Sequence, residues 1–178
     1  MNELIDIVNK EDVVIGKTFY KECHEKGLTH RSSSVFIFKD DSLGEILLTK
    51  RNPNVVEHDK FCNVGGHVES GGNYFETARK ELQEEIFWEH ELPDGIELKE
   101  LGKIFYNDMP HNYEFDMVYY AIYSGPFFSN PKETKGKLEF HKIEEVADET
   151  KKNPNKFTVA FLRQFDKLME YRGPVDQR

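Results

Sequence analysis

Residues 65–87 read GGHVESGGNYFETARKELQEEIF. Two glycines open a tight loop, and a segment with helical periodicity follows. Phe75, Ala78, Leu82 and Ile86 fall in one narrow stripe, which predicts a helix running roughly from Tyr74 to Phe87. Glu81, Glu84 and Glu85 lie together on a flank of that stripe. Acids one turn apart repel each other and weaken an isolated helix by roughly 0.2–0.5 kcal/mol per pair. The cluster becomes favourable when a divalent cation sits among the carboxylates; Mg²⁺ takes oxygen ligands and bridges carboxylates to substrate phosphates. An acidic helix face alone is commonly just a solvated face. The glycine loop shifts that balance, because a loop entering a helix N-terminus turns backbone N–H groups and the positive dipole end toward phosphate oxygens. Loop and acids together point to a metal-dependent phosphate site.

The rest of the chain restricts the ligand. The formal net charge is −9 and the pI near 5.3, which disfavours nonspecific binding to a nucleic acid polymer or an anionic membrane. A small-molecule diphosphate is the expected partner, its charge offset by metal or a local basic patch. No stretch approaches the ~20 apolar residues of a membrane span. The opening MNELIDIVNKED lacks the basic start and apolar run of a signal peptide. Cys23 and Cys62 match no zinc-finger spacing and form no disulfide framework, so a cytoplasmic location is expected.

The length suits one domain spanning residues 1–178: an N-terminal extension (1–30), a core (31–150) and a C-terminal helix (156–172). Short β-type runs at 3–8 and 13–15 flank a polar break, and a short helix follows near 17–25. SVFIF (34–38) and EILLTK (45–50) read as a hairpin across Asp40, Asp41, Ser42 and Gly44. Residues 51–64 read as an irregular loop. Strands are expected at 97–106, 114–123 and 137–141, and a helix over EEVADETKK. Phe157, Phe161, Phe165 and Met169 repeat every four residues, the stripe of a helix packed on a sheet. This order predicts an α+β or αβα architecture with a mixed sheet.

The same stretch resembles the box that defines Nudix hydrolases: a Gly, five residues, Glu, seven residues, then Arg-Glu-aliphatic-any-Glu-Glu-any-Gly-aliphatic. Anchored on Gly66, the box spans 66–88 and supplies Glu81, Glu84 and Glu85. It departs at Gly72 (Glu in the pattern), Lys80 (Arg) and Phe87 (Gly). The resemblance implies a Nudix-type αβα sandwich with a central mixed sheet, and hydrolysis of a diphosphate linked to another group. It implies Mg²⁺ or Mn²⁺ on Glu81, Glu84 and Glu85, with the Gly65 carbonyl as a further ligand. Glu81, Glu84 or the distal Glu114 would act catalytically. Gly66, His67, Lys80 and Arg51 would contact substrate. Many relatives pair, so a homodimer is allowed.

A narrower resemblance, carried by HEKGLTHRSSSVFIF (24–38) and the segment before it, is to the isopentenyl-diphosphate isomerase branch of the superfamily. There, histidines matching His24, His30 and His67 and a Glu matching Glu114 hold a metal, and imidazole with carboxylate suits Mn²⁺, Fe²⁺ or Zn²⁺. The catalytic Cys of that branch falls on Gly65, with Cys62 three residues away and pointing elsewhere, and its other acid falls near Asn112. Isomerisation is therefore disfavoured. A noncatalytic Nudix-fold binding module is the alternative of a different class. The loops 51–62, 107–113 and 124–136 would select the group beyond the diphosphate, with Tyr106, Tyr113 and Phe128 as residues that could stack on a base.

Overall fold

The computed structural model describes residues 3–109, 112–136 and 138–173. Positions 110–111 of the 107–113 loop and position 137 of the expected 137–141 strand lie outside the described residues, as do both ends of the 1–178 span.

The first two runs form a separate two-stranded hairpin, β1 (Leu4–Val8) and β2 (Val14–Phe19). The Asn9 side-chain oxygen closes its turn by accepting from the N–H groups of Glu11 and Val13. β2 runs on to Phe19, so the next helix, α1 (Tyr20–Lys26), starts later than the expected position 17 and ends on left-handed Gly27.

The central sheet contains β3 (Thr29–Phe38), β4 (Glu45–Lys50), β5 (Phe61–Cys62), β6 (Val64–His67), β7 (Lys99–Met109), β8 (Asn112–Ile122) and β9 (Glu139–Lys142). Its order is β5-β4-β3-β8-β7, with β6 on β3 and β9 on β4. β3 and β8 run parallel, and the other neighbours antiparallel. The expected β3–β4 hairpin pairs at Phe38 and Ile46; beyond that β3 pairs with β6, and β4 with β9. The expected 51–64 loop therefore ends earlier, because residues 61–62 and 64 already belong to strands.

Strand alternation buries both faces of this sheet. Val35, Ile37, Leu47, Tyr119 and Ala121 pack with Ala78, Leu82 and Ile86 on one side. Phe36, Phe38, Ile46, Val118 and Tyr120 pack with Phe161, Phe165 and Leu168 on the other. The first set of partners comes from α2 (Tyr74–Glu81) and the π-helical turn Leu82–Ile86. The second comes from α4 (Val159–Arg172), beside α3 (Ile143–Lys152). The fold is a mixed αβα sandwich. The starts of α2 and α4 are capped by side chains: Asn73 accepts from the Glu76 N–H at 2.9 Å and Thr158 from the Phe161 N–H at 3.2 Å.

Three details differ from the periodicity. Phe75 is 41% exposed rather than part of the buried stripe; Tyr74 packs against the core instead and gives its hydroxyl to Asp12 at 2.8 Å. The helix does not stay α to its end, since the Phe87 N–H reaches back to the Leu82 carbonyl at 3.2 Å. Phe87 is fully buried in edge contact with Tyr123, so core packing occupies the position where the box pattern has a glycine. No helix of the described residues is long and apolar enough to cross a membrane.

Candidate functional site

Even-numbered positions of β3 and β8 face α4. Phe36, Phe38, Val118 and Tyr120 form the apolar part of that layer. Toward the strand starts the same face turns polar, with His30 opposite Glu114 and Ser32 opposite Asp116. α1 brings His24 to this polar end, and β6, paired Ser32 to His67, brings His67. The ligand atoms of His24, His30, His67 and Glu114 all lie within 4.8 Å of one another. Glu114 Oε1 is 3.1 Å from His30 Nε2 and 3.3 Å from His67 Nε2. Its Oε2 accepts from Ser32 Oγ at 2.9 Å and from the Tyr106 hydroxyl at 2.5 Å.

The electrostatics are those of a crowded polar cavity wall. Burial opposes charge on Glu114, but its bonds to His30 and His67 hold its carboxyl well below the usual range. Burial likewise resists protonation of His30, yet its bonds to Cys23 and Glu114 carry it up to about 10. His30 Nδ1–H donates to the Leu28 carbonyl at 3.0 Å, which turns Nε2 toward the cluster. Burial and the neighbouring His30 and His67 push His24 down to about 4, and its Nε2 is buried without a hydrogen-bond partner. Such an orphaned nitrogen among two imidazoles and a carboxylate fits a cation of the Mn²⁺, Fe²⁺ or Zn²⁺ type. The Leu28 carbonyl, Ser32 and Tyr106 supply the outer hydrogen bonds such a set requires.

The box glutamates reach the same strand from the α2 side. A β-carbon on Gly66 would overlap the Glu81 carboxylate. Glu85 Oε1 accepts from the Gly65 N–H at 3.1 Å. Burial, with Glu84 nearby, raises Glu81 to about 7, and burial with Glu81 nearby raises Glu85 to about 8. Glu84 is exposed. Lys80, where the box pattern has Arg, pairs with Glu69 and stands 3.8 Å from Glu84. Among the described residues the histidine–Glu114 set is the group of three or more metal-type side chains drawn this close; the three box glutamates are not drawn together in that way.

A cavity of about 430 Å³ opens beside β6, lined by His24, Arg51, Gly65, Gly66, His67 and Glu114 among others. Glu81, Glu84, Glu85 and Lys80 do not line it; the Gly65–Gly66 backbone stands between. Arg51 is held by its Nε–H bond to the Val56 carbonyl at 2.8 Å. A groove of similar size between α3 and α4 is largely apolar and holds none of these residues.

Tyr106 lines the cavity beside β6 and gives its hydroxyl to Glu114, whereas Phe128 lies outside it, stacked on His90 with ring centroids 3.6 Å apart. Burial pushes the Cys62 thiol up to about 11, and it lies 3.0 Å from Thr49 Oγ1. Sequence reasoning missed Asp116, fully buried and pushed up to about 7 by burial, which accepts from Ser34 Oγ at 3.1 Å and Gln164 Nε2 at 2.5 Å. The spacing Glu114-Phe115-Asp116 carried the signal, since alternate strand residues share a face.

Comparison with known proteins decides the family. The family profile described as NUDIX domain matches residues 28–161. The chain belongs to the Nudix family. This Nudix chain is 31% identical over 169 residues to an isopentenyl-diphosphate Delta-isomerase of Serratia proteamaculans, covering 91% of the chain and 89% of the relative. It is 30% identical over 137 residues to an uncharacterized Nudix hydrolase of Yersinia pestis, covering 74% and 69%. Among solved structures, DR0079 from Deinococcus radiodurans aligns with a TM-score of 0.69 at 22% identity over 85% of this chain and 90% of that one. The NUDIX domain of Shewanella oneidensis NrtR, complexed with ADP ribose, aligns with a TM-score of 0.59 at 13% identity over 80% and 88%. At these identities the structural likeness speaks for the fold alone.

Proposed function

We propose that this Nudix chain is a Mg²⁺- or Mn²⁺-dependent hydrolase of a diphosphate linked to a second group, a small molecule met in the cytoplasm. The observation that carries the reading is the double role of β6. The Gly65 N–H meets Glu85 and Gly66 gives room to the Glu81 carboxylate, while His67, on the same strand, joins His24, His30 and Glu114. Glu81, Glu84, Glu85 and the Gly65 carbonyl would hold a cation at the box. His24, His30, His67 and Glu114 would hold a second one. A bound cation would offset the substrate's charge on an acidic chain and lower the pKa of a bound water.

In the hydrolysis a water oxygen bonds to phosphorus, the bond from that phosphorus to the bridging oxygen breaks, and the bridging oxygen leaves with the second phosphate. The water's proton passes to a carboxylate. Glu114, on the cavity wall, or Glu81 or Glu84, across the diglycine backbone from it, would take that proton. Arg51, Gly66 and His67 line the cavity and remain the substrate contacts proposed here; Lys80, paired with Glu69, is the least supported.

The four-ligand set favours a second reading, isomerisation of an allylic diphosphate. Against it stands Gly65: a β-carbon there would lie 2.7 Å from the Ser33 carbonyl oxygen, so the backbone leaves no room for a thiol-bearing side chain. The purified chain is incubated with Mg²⁺ or Mn²⁺ and a panel containing ADP-ribose, UDP-glucose and isopentenyl diphosphate. The expected outcome is release of phosphate or a monophosphate, reduced by about 100-fold or more in Glu81→Gln. Formation of dimethylallyl diphosphate without release assigns the isomerase. A thermal shift without any product assigns a binding module. Either result overturns the hydrolase.

A further inference from the structure

Two asparagines in the cavity wall stand apart from everything described above. Asn63 is 7% exposed and Asn112 is 9% exposed, and both line the cavity beside β6. Asn63 Nδ2 and Asn112 Oδ1 are buried without a hydrogen-bond partner. Leaving a buried amide atom unpaired is costly, and native structures seldom retain such atoms without a reason.

Their positions tie them to the chemistry. Asn63 joins β5 to β6, two residues before Gly65, and Asn112 lies two residues before Glu114 on β8. Side chains two apart on a strand share a face, which sets Asn112 beside Glu114, and both asparagines line the same cavity as Gly65 and Glu114. Neither side chain carries charge, and Asn63 Nδ2 and Asn112 Oδ1 find no partner among the described residues. Each offers both donor and acceptor atoms.

We propose that Asn63 and Asn112 form a polar clamp for the group attached to the substrate's diphosphate, and that this group carries both hydrogen-bond donors and acceptors. The clamp rests on the reading of the cavity as the diphosphate site. A prenyl chain has no hydrogen-bonding atoms, so burying the two amides against it would leave them unpaired; a site built around polar partners rejects a ligand that lacks them.

Calorimetric titration of the Mn²⁺-loaded full chain tests the clamp with four probes: inorganic diphosphate, ADP-ribose, UDP-glucose and isopentenyl diphosphate. At least one sugar-bearing probe is expected to bind 10-fold or more tighter than inorganic diphosphate, and isopentenyl diphosphate no tighter than it. Asn63→Leu and Asn112→Leu are each expected to weaken the favoured probe about 10-fold, one unmet hydrogen bond's worth. They should leave inorganic diphosphate affinity unchanged and Tm no lower than the parent's, which a structural role would not allow. Should a leucine variant fail to fold, Asn→Ala at the same position replaces it in the same titration. Isopentenyl diphosphate binding as tightly as either sugar-bearing probe overturns the clamp, as do variants that weaken every probe alike. The expected binding pattern without phosphate release supports the clamp while overturning the hydrolase.

Discussion

A methyl group at position 66 would overlap the Glu81 carboxylate, and one at position 65 would press on the Ser33 carbonyl oxygen at 2.7 Å. The two glycines thus serve opposite faces of β6. Gly66→Ala should push Glu81 away or force β6 off β3. The expected cost is about 1–3 kcal/mol, which for a domain of this size is a fall in Tm of roughly 2–12 °C. Gly65→Cys should cost a similar amount, because the obstructing atom is backbone and cannot rotate aside, and should add no double-bond migration. Thermal denaturation, with isopentenyl diphosphate conversion followed by product analysis, checks both; a Gly65→Cys protein as stable as its parent contradicts the close approach of the Ser33 carbonyl. The diglycine and the spacing of Glu81, Glu84 and Glu85 were legible in the sequence. That the glycines divide their work between two faces was not, because it depends on the register of β6 against β3. Asp116 went unread although its spacing from Glu114 sets both acids on one strand face; Gln164, the partner that holds it, lies on a distant helix.

Two carboxylates fasten the β1–β2 hairpin: Asp6 accepts from Ser70 Oγ at 2.6 Å and from the Gly71 N–H at 2.9 Å, and Asp12 sits in the turn. Asp12 accepts from Arg31 Nε of β3 at 2.6 Å, from Lys103 Nζ of β7, and from the Tyr74 hydroxyl of α2 at 2.8 Å. Burial opposes its charge, but the bonds from Lys103, Arg31 and Tyr74 prevail and lower its pKa. A depressed folded-state pKa contributes stability above the ordinary carboxylate value near 3.8, lost as the pH falls through the folded value. Asp12→Asn is therefore expected to cost about 1–2 kcal/mol at pH 7, with the gap to the parent narrowing in the acid range below pH 3.8. Urea unfolding at pH 7 and in that acid range measures it. α1 follows this hairpin directly and carries His24, so the same variant should also loosen the fourth member of the cavity set. The turn itself was readable from Asn9-Lys10-Glu11-Asp12. Its docking was not, since the partners lie far along the chain and leave no local signature. The α4 stripe, by contrast, was fully local, and its apolar period alone placed Phe161 and Phe165 in the core. The π-helical turn at Leu82–Ile86 has no compositional mark, and it is where the sequence-predicted α-helix ended early.

At the scale of the whole molecule, an acidic chain concentrates Glu81, Glu85, Glu114 and Asp116 at one end of its sheet. Burial raises three of them, and histidines restrain the fourth. The two-faced sheet was legible from strand alternation; the parallel pairing of β3 with β8, which sets His30 opposite Glu114, was not. Packing carboxylates together in this way weakens the folded state unless a cation shares their charge, so stability should depend on metal. Adding Mn²⁺ to chelator-treated protein at 100 times its dissociation constant should stabilise the fold by about 2.7 kcal/mol, or roughly 5–11 °C in Tm. Variants locate the responsible site. If the histidine set binds, Glu114→Gln abolishes the increment and Glu84→Gln keeps it, because Glu84 stands outside the cavity. If the box binds, the pattern reverses. Isothermal titration of each variant gives the stoichiometry directly, and two equivalents falling to one in both variants would mean that both sides of β6 hold metal. No increment in the parent protein would remove the metal from either side.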